Sequence, residues 1–248
     1  MALEFVTPEE WETFLDWVEW RHRGAKKAER PSTVPARIPQ SWFAALARLE
    51  QIFKGVKTTK MTEPPTPAKP DTEPVTAQST LIASPRATQK ILERYMLSRQ
   101  HGSYSDDEVR EILRKYVATA KSVGLDPLLV VSQMVLETGN LMSHWSQPPR
   151  RNPAGIGVTG KPGAGISFSN WDKAVQAHVG RLLAYVLPKD TETPAQRELI
   201  VAALKVRPLP DDRRGRAPQL KGLAGSWAMD PKYADKITRV ANEIRPPA

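Results

Sequence analysis

The sequence contains no cysteine, which removes disulfides, thiolate nucleophiles and cysteine-based zinc sites in one step. Histidine is almost as scarce. Only His22, His101, His144 and His178 occur, and no two have the spacing of a metal-binding helix motif, so neither a metal nor another cofactor is expected. No apolar run is long enough to span a membrane. Met1 to Glu10 lacks the basic and then apolar pattern of a secretory leader, so the chain is expected to remain in the cytoplasm until lysis, or to travel with a virion.

What is present is a chain of 248 residues with 40% hydrophobic content, enough for one full-sized domain and a smaller segment. The net charge of +9 favours a polyanionic partner: nucleic acid, an anionic membrane or an anionic cell wall. The basic residues are scattered through loops, and no recognition-helix or zinc-finger pattern accompanies them, which argues against nucleic acid.

Three compositional regions follow one another. Thr7-Pro8-Glu9-Glu10 has the form of a capping box ahead of Trp11, Phe14, Leu15 and Val18, which predicts a helix over 8–23. A second amphipathic stretch carries Trp42, Phe43, Leu46, Leu49 and Phe53 on one face. Residues 1–55 thus read as a helical segment, either a docking arm or a targeting module. Residues 56–85 are rich in Thr, Pro, Lys and Glu without apolar periodicity and read as an extended linker. Residues 86–248 form the main domain.

Within that domain the pattern predicts helices over 86–100, after the capping box Ser105 to Glu108, after Asp126-Pro127, from about Trp171, after Thr193-Pro194, and from Asp230-Pro231. Between Ser146 and Asn170 the prolines and glycines are dense. Short β-like pieces at 156–159 and 166–168 flank Gly160-Lys161-Pro162-Gly163, which reads as a small hairpin. The domain is expected to be α+β and predominantly α.

The stretch Leu128, Leu129, Val130, Val131, Met134, Val135, Leu136 ends in Glu137, with Gly139 as the helix stop. A carboxyl group at the end of so apolar a helix is costly to ionise. Partial desolvation and the negative end of the helix dipole both raise its pKa, which suits a general acid. A glutamate that simply reaches solvent at a helix end is the other reading. His178 falls on the inner stripe of its helix and reads as a hydrogen-bonded core histidine.

The runs LLVVSQMVLETGNL, RNPAGIGV, SFSNWDKAVQAHVGRLLAYV and WAMDPKYADKI together resemble the endo-β-N-acetylglucosaminidase domains of peptidoglycan hydrolases, glycoside hydrolase family 73. The resemblance covers roughly residues 85–246. Glu137-Thr138-Gly139 matches an ExG-type catalytic motif, Asn152 to Gly157 is a looser counterpart of an NxFGIK segment, and Asp230, Pro231, Tyr233, Ala234, Lys236 and Ile237 match a closing DPxYAxKI motif. It implies a lysozyme-like fold, with a helical lobe and a small β lobe enclosing a glycan cleft. It also implies hydrolysis of the β-1,4 bond after N-acetylglucosamine in peptidoglycan, with Glu137 protonating the leaving oxygen.

No acidic residue occurs between Ser146 and Asn170, where such domains often carry a second carboxylate. Asp172 in the next helix is a candidate, and assistance by the acetamide of the substrate is the alternative. Tyr233 would orient that acetamide or simply pack. Gln133, one helical turn before Glu137, and Asn152 are candidates to reach a sugar or Glu137, and the indoles of Trp145, Trp171 and Trp227 are candidate sugar contacts or core residues. Arg150, Arg151, Arg213, Arg214 and Arg216 are expected to form basic surface attractive to anionic wall polymers. A muramidase and a non-catalytic peptidoglycan-binding or virion structural protein are the rival readings, and a phage or prophage lysin fits the two-part architecture.

Overall fold

The computed structural model describes residues 73–158 and 165–245. The helices expected over 8–23 and 42–53 lie outside them. Six α-helices are present among the described residues: α1 Gln89–Leu97, α2 Asp106–Ser122, α3 Pro127–Thr138, α4 Trp171–Val186, α5 Pro194–Val206 and α6 Tyr233–Ile244.

Their starts follow from local chemistry. Ser105 and Glu108 form a reciprocal capping box at α2, as do Thr193 and Gln196 at α5. Asp126 caps α3 through Leu128 N–H and Asn170 caps α4 through Lys173 N–H. Helix α1 is shorter than the 86–100 pattern predicts. Thr88 caps it, and Arg86 is held outside it by Asp126 through a backbone N–H at 3.2 Å and a guanidinium contact at 2.9 Å. Helix α6 starts at Tyr233, after a turn in which Asp230 Oδ1 accepts from Lys232 N–H, rather than at Pro231.

Helix α3 lies at the centre. Leu128, Leu129, Val130, Val131, Met134 and Val135 are all buried, which stabilises the fold by about 1.5–3 kcal/mol for each fully buried side chain of this size. It packs against α2 on one side and α6 on the other, while α4 packs against α2 and α5. The approach of α4 to α5 depends on Gly180, where a β-carbon would meet the carbonyl oxygen of Leu199 at 2.4 Å.

The linker expected over 56–85 ends earlier than composition suggests. Val75 and Leu81 are buried, Val75 exchanges two 2.9 Å hydrogen bonds with the side chain of Asn242, and isolated bridges pair Thr80 with Gln219 and Ile82 with Leu125. These are mostly backbone contacts, which the Thr/Pro composition does not encode. The β pieces expected at 156–159 and 166–168 form no strand over their described residues, although Ile166 N–H donates to Ile156 C=O at 3.0 Å. The turn between them lies outside the described residues.

Candidate active site

Glu137 occupies the last turn of α3, where the chain bends sharply. Gly139, Asn140 and Leu141 take three successive left-handed conformations, with φ of 56°, 62° and 66°. Thr138 Oγ1 steadies the bend by accepting from Leu141 N–H at 2.8 Å and donating to Met134 C=O at 2.7 Å. Asn140 Nδ2 donates to Gln100 C=O at 2.7 Å and to Met96 C=O at 3.3 Å, which anchors the bend to the end of α1.

Two side chains from the end of the domain converge on one carboxylate oxygen. The indole Nε1–H of Trp227 donates to Glu137 Oε1 at 3.0 Å, and the hydroxyl of Tyr233 donates to the same atom in a short hydrogen bond. Trp227 is carried by a tight turn in which its N–H bonds Leu223 C=O and Gly225 N–H bonds Ala228 C=O. Its ring is wedged between those of His178 and Tyr185, at centroid separations of 5.8 and 5.4 Å. No described side chain donates to Oε2. Gly155 faces that oxygen, and a β-carbon built there would stand 3.8 Å from it.

The electrostatics suit a proton donor. Burial pushes the Glu137 carboxyl above its ordinary pKa, the donors Tyr233 and Trp227 pull it partly back, and no charged neighbour contributes among the described residues. Burial and the adjacent carboxylate push the Tyr233 phenol far up, so it remains a donor throughout the working pH range.

Two expected sugar contacts prove to be internal. Gln133 is fully buried; its Nε2–H donates to Tyr233 Oη at 3.0 Å and its Oε1 lies 3.0 Å from His178 Nε2, so it supports Tyr233 instead of touching Glu137. Asn152 is buried and satisfied by its own loop. Its Nδ2 donates to Ile156 C=O at 2.8 Å and Ile166 C=O at 2.9 Å, and its Oδ1 accepts from Ile156 N–H at 2.9 Å and from Ala154 N–H. This brace presents Gly155 to Glu137.

The remaining candidates are dispersed. Asp172 at the start of α4 pairs with Lys115 of α2 at 2.6 Å and makes no contact with Glu137, Tyr233 or Trp227. Trp171 is 9% exposed, belongs to the core and meets Tyr104 edge-on. Trp145 is half-buried, with Gly165 against its ring and the Arg150 guanidinium 5.3 Å from its centroid. Sequence reasoning missed Tyr116, whose hydroxyl lies 2.9 Å from His178 Nδ1. The signal was that Tyr116 and His178 both sit on buried helical stripes, one on α2 and one on α4. Among the described residues, no cluster of His, Asp or Glu side chains is arranged to hold a metal ion, and no helix is long and apolar enough to cross a membrane.

The arrangement supplies a half-buried carboxyl group with one oxygen fixed by two donors and the other turned to a glycine backbone. It can deliver a proton to a leaving oxygen. Among known proteins, the family model for glucosaminidases, described as mannosyl-glycoprotein endo-beta-N-acetylglucosaminidase, matches residues 113–246. A protein of Borreliella burgdorferi described as uncharacterized is 28% identical over 137 residues, or 55% of this chain and 63% of that relative, so the match spans less than two thirds of the relative's length. No solved structure matches.

Proposed function

Because the chain belongs to the glucosaminidase family, with residues 113–246 matching its model, we propose that it is a peptidoglycan hydrolase in which Glu137 is the general acid. The proposed reaction is hydrolysis of the β-1,4 bond on the reducing side of N-acetylglucosamine. Glu137 Oε2 gives its proton to the departing glycosidic oxygen as the C1–O bond breaks. The observation that carries this reading is the convergence of Trp227 Nε1–H and Tyr233 O–H on Oε1, which leaves Oε2 as the oxygen without a described donor.

The second catalytic group is the acetamide of the substrate. Neither the sequence between Ser146 and Asn170 nor any described neighbour of Glu137 supplies a second carboxylate, and Asp172 is engaged with Lys115. Attack of the acetamide carbonyl oxygen on C1 would give an oxazolinium ion that water then opens, with Glu137 taking back a proton from that water. Product stereochemistry would be retained. The basic loops would draw the enzyme to anionic wall polymers, and the N-terminal segment with its Pro/Thr-rich connection fits a phage or prophage lysin or a virion-associated hydrolase.

Digestion of purified peptidoglycan tests the proposal, with mass spectrometry of borohydride-reduced products. Reduced N-acetylglucosamine ends are expected from the wild type and none from Glu137→Gln. Reduced N-acetylmuramic acid ends would make the enzyme a muramidase, and no release by the wild type would remove the enzymatic reading.

A further inference from the structure

Behind Glu137 runs a line of buried polar groups drawn from four helices. Tyr116 Oη lies 2.9 Å from His178 Nδ1, His178 Nε2 lies 3.0 Å from Gln133 Oε1, Gln133 Nε2 lies 3.0 Å from Tyr233 Oη, and Tyr233 reaches Glu137 Oε1. Tyr116, Gln133 and His178 are at most 1% exposed. Each contact is a hydrogen bond, and each has a direction that heavy-atom positions alone do not fix.

Only two directions keep the line intact. In one, every proton points towards Glu137: Tyr116 O–H donates to Nδ1, His178 Nε2–H to the Gln133 carbonyl, the Gln133 amide to Tyr233 Oη, and Tyr233 O–H to Oε1. In the other, the amide of Gln133 is turned over, Tyr233 gives its proton to Gln133, and His178 donates from Nδ1 to Tyr116. The second direction leaves Tyr116 with a hydroxyl proton and no place to put it. Its only described partner is His178, and buried donors are almost always paired. It also takes from Oε1 the donor that Tyr233 supplies.

We infer that the buried hydroxyl of Tyr116 sets the direction of this four-bond relay through the Nε2–H tautomer of His178, and thereby makes Oε2 the proton-bearing oxygen of Glu137. The last clause rests on Glu137 being the acid; the direction of the relay does not. Tyr116, His178 and Gln133 are positioning residues, since none touches the reacting atoms. Burial keeps the imidazole neutral, with its pKa pushed down to about 3, so the relay carries no charge and keeps its direction across the working pH range. The groups facing His178 are Tyr116 from α2, Gln133 from α3 and the Trp227 ring; those facing Glu137 are Tyr233 from α6, Trp227 and the Gly155 backbone. None of these is a charged side chain.

The test begins with the full-length wild-type protein labelled with ¹⁵N-histidine, His178 being assigned by its loss in His178→Gln or, should that variant not fold, by NOEs from its ring to those of Tyr116 and Trp227, whose centroids lie 5.7 and 5.8 Å away. A pyrrole-type signal with a bonded proton at Nε2 and a pyridine-type signal at Nδ1 are expected; the reverse would overturn the inference. This readout is independent of hydrolysis, so a protein without activity would defeat the proposed function while still deciding the direction of the relay. The second arm is Tyr116→Phe, which keeps the ring and removes the hydroxyl. It should lower kcat by about 3- to 10-fold, the scale of one hydrogen bond, with KM unchanged. Released from its direction, Tyr233 would donate less to Oε1, and the alkaline limb of the rate profile would move up. A variant with wild-type kcat and an unmoved limb would overturn the inference, and if Tyr116→Phe does not fold, the wild-type tautomer alone decides.

Discussion

Gly155 lies so close to Glu137 that a β-carbon there would stand 3.8 Å from Oε2, at ordinary van der Waals distance. The glycine has φ of 58°, and Asn152 clamps its loop with four hydrogen bonds. A side chain at 155 would therefore meet both a left-handed backbone and the oxygen from which, in the proposed reaction, a proton leaves. Gly155→Val should reduce peptidoglycan release by more than 10-fold while Gly155→Ala reduces it less. The backbone cost of about 1–2 kcal/mol would appear in urea unfolding of both.

Glu137→Gln keeps an acceptor for Trp227 and Tyr233 at the position of Oε1 and removes only the ability to give a proton. Turbidity or dye-release assays should lose about 10²- to 10⁴-fold in rate. Stability should move the other way. The folded pKa of Glu137 is raised, so between the unfolded value and the folded one the native state holds more protons, and wild-type stability falls as pH rises. The Gln variant lacks that loss. Its melting temperature relative to wild type should climb from pH 4 to pH 7.

Trp227→Phe removes one of the two donors to Oε1 but keeps a ring between His178 and Tyr185. The ionised form of Glu137 loses support and its pKa rises further. The alkaline limb of kcat/KM should shift to higher pH, whereas a sugar platform that merely lost its indole would raise KM and leave the limb in place.

His178 makes the opposite contribution to stability. Its folded pKa is depressed to about 3, so between there and the unfolded value near 6.5 the unfolded chain binds more protons. Stability from this group is present above about pH 6.5 and is lost as pH falls, at up to about 1.4 kcal/mol per pH unit. Denaturant titrations of wild type and His178→Gln between pH 4 and 7 should show a difference of that slope, with wild type losing more on acidification.

Gly180→Ala should cost about 1–3 kcal/mol, because the added methyl meets a backbone oxygen at 2.4 Å and α4 must move from α5. Urea unfolding would report it. Activity per folded molecule should also fall a few-fold, since α4 carries His178, two residues away, on which the relay behind Glu137 depends.

Much of the helical frame was legible from Ser105, Asp126 and Thr193, because a cap is a local event: the side chain, the backbone N–H it binds and the apolar stripe behind it lie within a few residues. The raised pKa of Glu137 was legible for the same reason, an acid at the end of an apolar run. The relay was not. Gln133 meets Tyr233 across 100 residues and His178 meets Tyr116 across 62, and no periodicity encodes which buried polar group will find which. Gln133 was placed on the correct face of α3 yet assigned to sugar, since a helix wheel gives direction and says nothing of what stands opposite. The early start of the domain at Val75 escaped because it is held mostly by backbone contacts. Asn152 was singled out for its polarity, which the fold spends on closing its own loop.

The two donors to Glu137 lie 90 and 96 residues further along the chain. During synthesis the acid is therefore made long before the groups that hold it, and α3 with its carboxyl can emerge from the ribosome while Trp227 and Tyr233 are still untranslated. A message truncated between the codons for Thr138 and Trp227 would yield a polypeptide that carries the glutamate and its helix but neither donor, so translation must run into the last helix before the carboxyl acquires its final surroundings.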